Sequence, residues 1–165
     1  MHPMATLEQM KQLADMQAQP LQEKLKKEPK NADLLAQIGH IYQSTHQFKD
    51  AAGYYERSLE INPKNVDIRN EAASCLYYNG DVDGALQQLD QSLKNDPKNA
   101  NALFNLGMIR WRGKNDTKGA VTAWQRLLKA NPNLEDEKKA QVQKLIADAS
   151  QPSDINQGDR NKLKE

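Results

Sequence analysis

The sequence predicts an all-α fold: three successive helix–turn–helix units, flanked by N-terminal helices and a C-terminal capping helix. Two observations carry this. Four short segments recur, EPKN at 28–31, NPKN at 62–65, DPKN at 96–99 and NPNL at 131–134. Their prolines, Pro29, Pro63, Pro97 and Pro132, are spaced by 34, 34 and 35 residues. Between these marks, each unit holds two stretches whose apolar residues recur at helical spacing.

Each proline stops a helix, because it restricts the residue before it and has no N–H for the preceding turn. The asparagine two residues on (Asn31, Asn65, Asn99) is a good N-cap for the next helix. In two units an aspartate, Asp33 or Asp67, follows in the first turn, where the helix dipole favours it.

The elements follow in chain order. Residues 1–4 read as a disordered start, or as the remnant of a shortened chain. Residues 5–31 read as a helical half-unit in two segments. Leu7, Met10, Leu13 and Met16 mark the first; Leu21 and Leu25 mark a second beginning near Pro20, which suits a first helical turn. The run KLKK, Lys24 to Lys27, falls at a helix C-terminus, where cations are favourable.

Residues 32–65, 66–99 and 100–134 are the three units. Their first helices read ADLLAQIGHIYQS, VDIRNEAASCLYY and ANALFNLGMIRWR. Their second helices read KDAAGYYERSLEI, VDGALQQLDQSLK and TKGAVTAWQRLLK. The turns YNGD and RGKND offer a glycine for a left-handed helix end, whereas the first unit has STHQ there. Gly39, Ala73 and Gly107, with Ala51, Ala85 and Ala120, are small residues where paired helices cross closely. Residues 135–149 place Val142, Leu145, Ile146 and Ala149 on one stripe, as a terminal unit with a polar outer face requires. Residues 150–165 are polar and patternless and are expected to be a disordered tail.

These residues resemble the tetratricopeptide repeat, a helix–turn–helix unit of 34 residues. Residues 32–65 match best, through Leu35, Ile38, Gly39, Tyr42, Ala51, Tyr55 and Pro63. The second unit supplies Ala72, Ala73, Leu76, Ala85, Leu89 and Pro97, with Arg69 where a large apolar residue is usual. The third supplies Leu103, Leu106, Gly107, Ala120, Trp124 and Pro132, holds one extra residue, and has Arg110 at the usual aromatic position. The resemblance implies a right-handed superhelix whose concave side is lined by first helices.

Composition narrows the function. The 23 Lys and Arg balance 22 Asp and Glu, so the chain lacks the basic field of a nucleic-acid binder. A single cysteine, Cys75, excludes an internal disulfide and any multi-cysteine metal site. No run approaches the ~20 apolar residues of a membrane span, and MHPMATLEQM lacks the apolar core of a secretory signal. As written, the chain is expected to be soluble and untargeted, cytoplasmic by default. An anchor encoded upstream of Met1 would make it a periplasmic, membrane-tethered domain instead.

No Walker loop, dinucleotide fingerprint, HExxH or GxSxG is present, and no nucleophile–base–orienter set emerges. His2 and His46 fall in the start and in a turn; His40 is expected on the concave side as a solvated polar contact. The acidic run Glu135, Asp136, Glu137 sits at a helix start, where the dipole accounts for it. The expectation is a protein without enzymatic activity, cofactor or metal.

What remains is a surplus of apolar surface in FNLGMIRW, residues 104–111. Leu103, Leu106 and Gly107 share the face expected to be buried, while Phe104, Met108 and Trp111 fall on another. By the resemblance, concave positions are Asp33, Ala36, His40, Gln43 and Ser44 in the first unit. They are Asp67, Asn70, Ser74, Tyr77 and Tyr78 in the second, and Asn101, Phe104, Met108, Trp111 and Arg112 in the third. Asn70, Asn101 and nearby Asn105 could hold a ligand backbone. Tyr77, Tyr78, Phe104, Met108 and Trp111 offer adaptable apolar anchors. An amphipathic helix or an extended peptide would fit such a surface.

The same stripe could instead pack within the array, under the C-terminal helix or rotated inward by the extra residue. Trp111 would then slide into the core position that Arg110 nominally holds.

The family's chaperone-tail clamp grips a terminal carboxylate with Lys and Arg; here those positions hold Ala36, His40, Glu71, Asn101 and Asn105. An acidic tail is therefore not the expected ligand. The run 105–132, with its extra turn residue and Trp124 before Leu127 and Leu128, resembles the last repeat of bacterial cytochrome c biogenesis subunits. That resemblance implies a tethered domain holding an apocytochrome segment outside the cytoplasm. The main reading is a peptide-binding adaptor; the alternatives are that biogenesis domain and a self-assembling scaffold.

Overall fold

The computed structural model describes residues 6–151, and among these the regular structure is all helical. The expected disordered start at 1–4 and nearly all of the tail at 150–165 lie outside the described residues. Eight helices follow in order: α1 (Leu7–Lys27), α2 (Ala32–Ser44), α3 (Phe48–Ile61), α4 (Val66–Tyr78), α5 (Val82–Asn95), α6 (Ala100–Lys114), α7 (Thr117–Ala130) and α8 (Asp136–Ser150). Each packs on its chain neighbour, and α4 also touches α6. That extra contact sets the first helices of the last two pairs side by side.

The punctuation works through side-chain caps. Asn31, Asn65 and Asn99 accept from the backbone N–H of Leu34, Ile68 and Ala102 at 3.0, 3.1 and 3.0 Å. Each satisfies one of the four donors a helix start leaves open. Asp81 and Asp116 cap α5 and α7 in the same way, each at 2.8 Å. Gln47 makes no such bond at the start of α3.

Two turns depart from expectation. Gly80 takes the left-handed conformation (φ 92°) in the YNGD turn, but in RGKND it is Asn115 (φ 58°), with Gly113 still inside α6. Asparagine tolerates that region, and α6 is thereby extended past the length of α2 and α4. A Cβ on Gly113 would stand 3.0 Å from Val82 Cγ1 and 3.2 Å from Tyr77 Cε2, so this glycine serves close packing. In the STHQ turn, His46 takes φ 61°.

The pair seams show why small residues recur. A Cβ on Gly39 would lie 2.6 Å from the Tyr55 ring, and one on Gly107 only 2.1 Å from Trp124 Nε1. Tyr55 and Trp124 are wholly buried, and the Trp124 indole donates to the Phe104 carbonyl at 3.2 Å. In the middle unit the equivalent positions hold Ala73 and Leu89, both fully buried in one cluster, and Leu89 is smaller than either ring. The core runs as two adjoining clusters, one across α1–α4 and one across α4–α8.

The arginines at apolar repeat positions are held rather than packed away. Arg69 donates to Gln88 Oε1 and to the Pro63 carbonyl, both at 2.7 Å, and burial lowers its pKa. Arg110 reaches Asp116 at 3.3 Å.

The N-terminal half-unit differs most. α1 is one continuous helix with Pro20 in its interior, not two segments. Its buried face is Ala14, Ala18 and Leu25, with Leu21 partly buried, a spacing of four, three and four. Leu7, Leu13 and Met16 are exposed. A strict spacing of three drifts round a 3.6-residue helix, so that quartet never formed a stripe. At the other end, Val142 and Ala149 are buried and Leu145 and Ile146 pack on the second cluster, so α8 closes the array.

Candidate functional site

The wall formed by α4 and α6 carries two clefts that meet. The first, about 380 Å³, is polar and is lined by Asp67, Asn70, Glu71, Ser74, Asn101 and Asn105. The second, about 200 Å³, is lined by Ser74, Tyr77, Tyr78, Phe104, Asn105, Met108, Ile109 and Arg112. Ser74 and Asn105 belong to both, so the surface is continuous, polar at the N-terminal ends of the helices and aromatic at the other.

The local register explains this. Asn70, Ser74 and Tyr77 recur on one face of α4, and Asn101, Asn105 and Met108 recur on the facing side of α6. The wall is tied together at its middle: Asn105 Nδ2 donates to Ser74 Oγ at 3.3 Å, and Ser74 Oγ donates to the Asn70 carbonyl at 3.1 Å. Asn70 is 4% exposed, and its Nδ2 donates to Asn99 Oδ1 at 3.0 Å. Its own Oδ1 is buried without a hydrogen-bond donor.

Ten residues expected on or beside the concave side therefore line the joined clefts: Asp67, Asn70, Ser74, Tyr77, Tyr78, Asn101, Phe104, Asn105, Met108 and Arg112. Tyr78, 66% exposed, stacks on Phe48 with ring centroids 4.9 Å apart. Phe104 also lines a third recess of about 240 Å³, against Leu127, Leu134, Lys138 and Val142. The α8 side of that recess was not among the expected site residues. Its signal, Leu134 with Val142, reads from sequence only as capping-helix packing.

Six expected concave positions line neither cleft: Asp33, Ala36, His40, Gln43, Ser44 and Trp111. Ala36 is buried in the first core cluster and presents no ligand surface. Gln43 and His40 are engaged by the second helix of their own pair. The Tyr55 hydroxyl donates to Gln43 Oε1 and lies 2.7 Å from His40 Nδ1, while Gln43 Nε2 donates to Glu71 Oε2 at 2.7 Å.

Trp111 does not line the clefts. It is half-buried against the second core cluster, edge-to-face with Trp124 at 5.8 Å, and Arg112 lies 5.6 Å over its ring. The extra residue of this unit lengthens α6 at its C-terminal end, beyond Trp111, so Trp111 keeps its helical register beside the Gly107–Trp124 seam. It does not take the place of Arg110.

Glu71 lines the polar cleft beside Asp67; Asp67 was expected on the concave side, whereas Glu71 was expected only as a residue that repels an acidic tail. Their charge also weighs on the core beneath. Burial first, and then Glu71, push the Cys75 thiol up to about 12. Burial first, with lesser pushes from Cys75 and Glu71, raises the pKa of the Tyr55 hydroxyl. A thiol so held is inert. Among the described residues, no group of three or more His, Cys, Asp or Glu is placed to hold a metal ion, and no helix is long and apolar enough to cross a membrane.

The chain is 28% identical over 109 residues to the cytochrome c-type biogenesis protein CycH of Pseudomonas aeruginosa, covering 64% of this chain and 26% of that protein. It is 24% identical over 120 residues to the formate-dependent nitrite reductase complex subunit NrfG of Escherichia coli O157:H7, covering 71% of this chain and 60% of that one. The chain thus spans about a quarter and three fifths of these two relatives.

Among solved structures, the first TPR of Spaghetti (RPAP3), bound to the HSP90 peptide SRMEEVD, superposes with a TM-score of 0.62 at 18% identity. It covers 73% of this chain and 94% of that one, a likeness of fold. The superhelical tetratricopeptide fold makes the chain a protein-interaction module. The family model described as the cytochrome c-type biogenesis protein H TPR domain matches residues 2–139, and the chain belongs to that family.

Proposed function

We propose that the chain is a non-catalytic peptide-binding domain whose ligand lies along the α4–α6 wall. The observation that carries this is the continuous cleft from Asp67 and Asn101 to Tyr78 and Arg112, joined through Ser74 and Asn105. Its aromatic half offers Tyr77, Phe104 and Met108 as partly buried anchors, the kind of residue that carries binding energy at interfaces. Its polar half offers amides and a hydroxyl that can pair with a peptide backbone.

The family membership favours one ligand: the C-terminal segment of an apocytochrome c, held during assembly of the cytochrome. Such a segment, if helical and amphipathic, would lay its apolar face against the aromatic half. An acidic tail of the SRMEEVD kind does not suit this cleft, since Asp67 and Glu71 stand in its polar half.

The test is fluorescence anisotropy of a labelled C-terminal peptide from a bacterial apocytochrome c. The wild-type chain should bind it saturably. Phe104→Ala with Met108→Ala should weaken binding at least about tenfold, as loss of central anchors does, with helical circular dichroism retained. Binding that ignores this pair of substitutions would contradict the proposal.

A further inference from the structure

The polar half of the cleft carries two carboxylates, Asp67 and Glu71, and no lysine or arginine among its lining residues. Neither carboxylate forms an ion pair among the described residues. Asp67 sits in the first turn of α4, where the helix dipole already favours it. Glu71 lies one turn further on, beyond that favourable end, and only Gln43 Nε2 holds its Oε2.

A second feature points the same way. The floor of this cleft includes Asn70, 96% removed from solvent, whose Oδ1 has no donor. That uncompensated oxygen adds partial negative charge beneath the two carboxylates, which favours a cationic ligand above it. At the opposite end of the joined clefts stands a cation, Arg112, over the Trp111 ring. The groove is therefore polarised along its length, negative beside Asn101 and positive beside Met108.

We infer that the groove takes a peptide segment bearing a lysine or arginine, seated between Asp67 and Glu71, with an apolar side chain in the Tyr77–Phe104–Met108 recess. This rests on the groove reading above and adds to it the charge and the direction of the ligand. The seven helical steps from Asn101 to Met108 span about 10 Å. An extended peptide covers that in about three residues, so the basic and apolar anchors stand about three positions apart. The end bearing the basic residue points away from Arg112.

The probe is a library of short randomised peptides, selected on the full chain, on Asp67→Asn with Glu71→Gln, and on Phe104→Ala with Met108→Ala. Helical circular dichroism and melting temperature check that each variant is folded. Asp67→Asn alone serves where Glu71→Gln disturbs the Gln43 contact.

The expected result is that the wild-type chain enriches Lys or Arg about three positions from an apolar residue. Neutralising the two carboxylates should weaken the selected peptides about tenfold and remove that preference while leaving the apolar one, as partly exposed charge pairs allow. Selection that needs Phe104 and Met108 but shows no cationic preference, or one unchanged in the neutralised variant, overturns this inference and leaves the groove reading standing. Selection that depends on neither pair overturns both.

Discussion

Cys75 and its neighbours show how single side chains are bound to the array. The thiol is wholly buried, and burial with the Glu71 charge raises its pKa to about 12. Burial and the hydrogen bond to Asp15 raise the Tyr42 hydroxyl to about 12 as well. Both groups are held protonated by the fold, so their contribution is full below the unfolded values, ~8.5 for Cys and ~10 for Tyr. It is lost as pH rises toward 12. Urea denaturation at increasing pH should show stability falling across that window. Cys75→Ala should flatten the first part of the fall, and the native thiol should resist a disulfide reagent at pH 8. A thiol that reacts as fast as in the unfolded chain would contradict its placement.

Two serines at equivalent repeat positions make a sharper residue-scale comparison. Ser58 donates to the Ala32 carbonyl at 2.9 Å, whereas Ser92, equally buried, has no partner for its Oγ. Ser58→Ala should cost about 1 kcal/mol, and Ser92→Ala should be neutral or stabilise by up to about 1 kcal/mol. Equal losses in urea midpoints would show that the two hydroxyls are not distinguished by pairing.

At the scale of elements, the seam between α6 and α7 depends on Gly107 lying under Trp124. Gly107→Ala gains ~1 kcal/mol of helix propensity. It also forces a methyl into a space already filled at 2.1 Å, and overpacking of this kind costs ~1–3 kcal/mol. The melting temperature should therefore fall. The middle unit supplies the compensation, since its equivalent positions hold Ala73 and Leu89, both fully buried. Gly107→Ala with Trp124→Leu should lose at least ~1 kcal/mol less than the sum of the single changes, the coupling expected of touching residues. Strict additivity would mean that the two side chains do not meet.

The elements also show which features could be read ahead of the structure. Asn31, Asn65 and Asn99 announced the starts of α2, α4 and α6 because a cap acts locally, on a backbone N–H three residues away. Gly39 and Gly107 announced close seams because the repeat set each one opposite a large ring. Pro20 was misleading: its missing N–H and the Met16 carbonyl it should have served both lie on an exposed stretch of α1, where water can reach them. Gly113 was misleading because packing against Tyr77 and Val82 needed it more than the turn did, and Asn115 supplied the left-handed residue. Trp111 was ambiguous because it lies between the seam face and the groove face of α6; only the position of the Trp124 ring decides between them.

For the whole molecule, a chain of stacked pairs has a continuous core and a wall of first helices, and the wall is where unpaired surface accumulates. The repeat period made the stack legible. The site was less so, because burial of Ala36 and the Tyr55–His40–Gln43 contacts arise between helices whose relative rotation no local spacing records.

The central claim is that a peptide partner occupies the α4–α6 wall. Backbone amide chemical shifts of the isotope-labelled chain, titrated with the apocytochrome c peptide, test it most directly. Perturbations should concentrate at Asn70, Ser74, Tyr77, Asn101, Asn105 and Met108, with α3, α5 and α7 nearly silent. Perturbations centred instead on α5 and α7, or on the turn recess between Glu28 and Asn62, would contradict it.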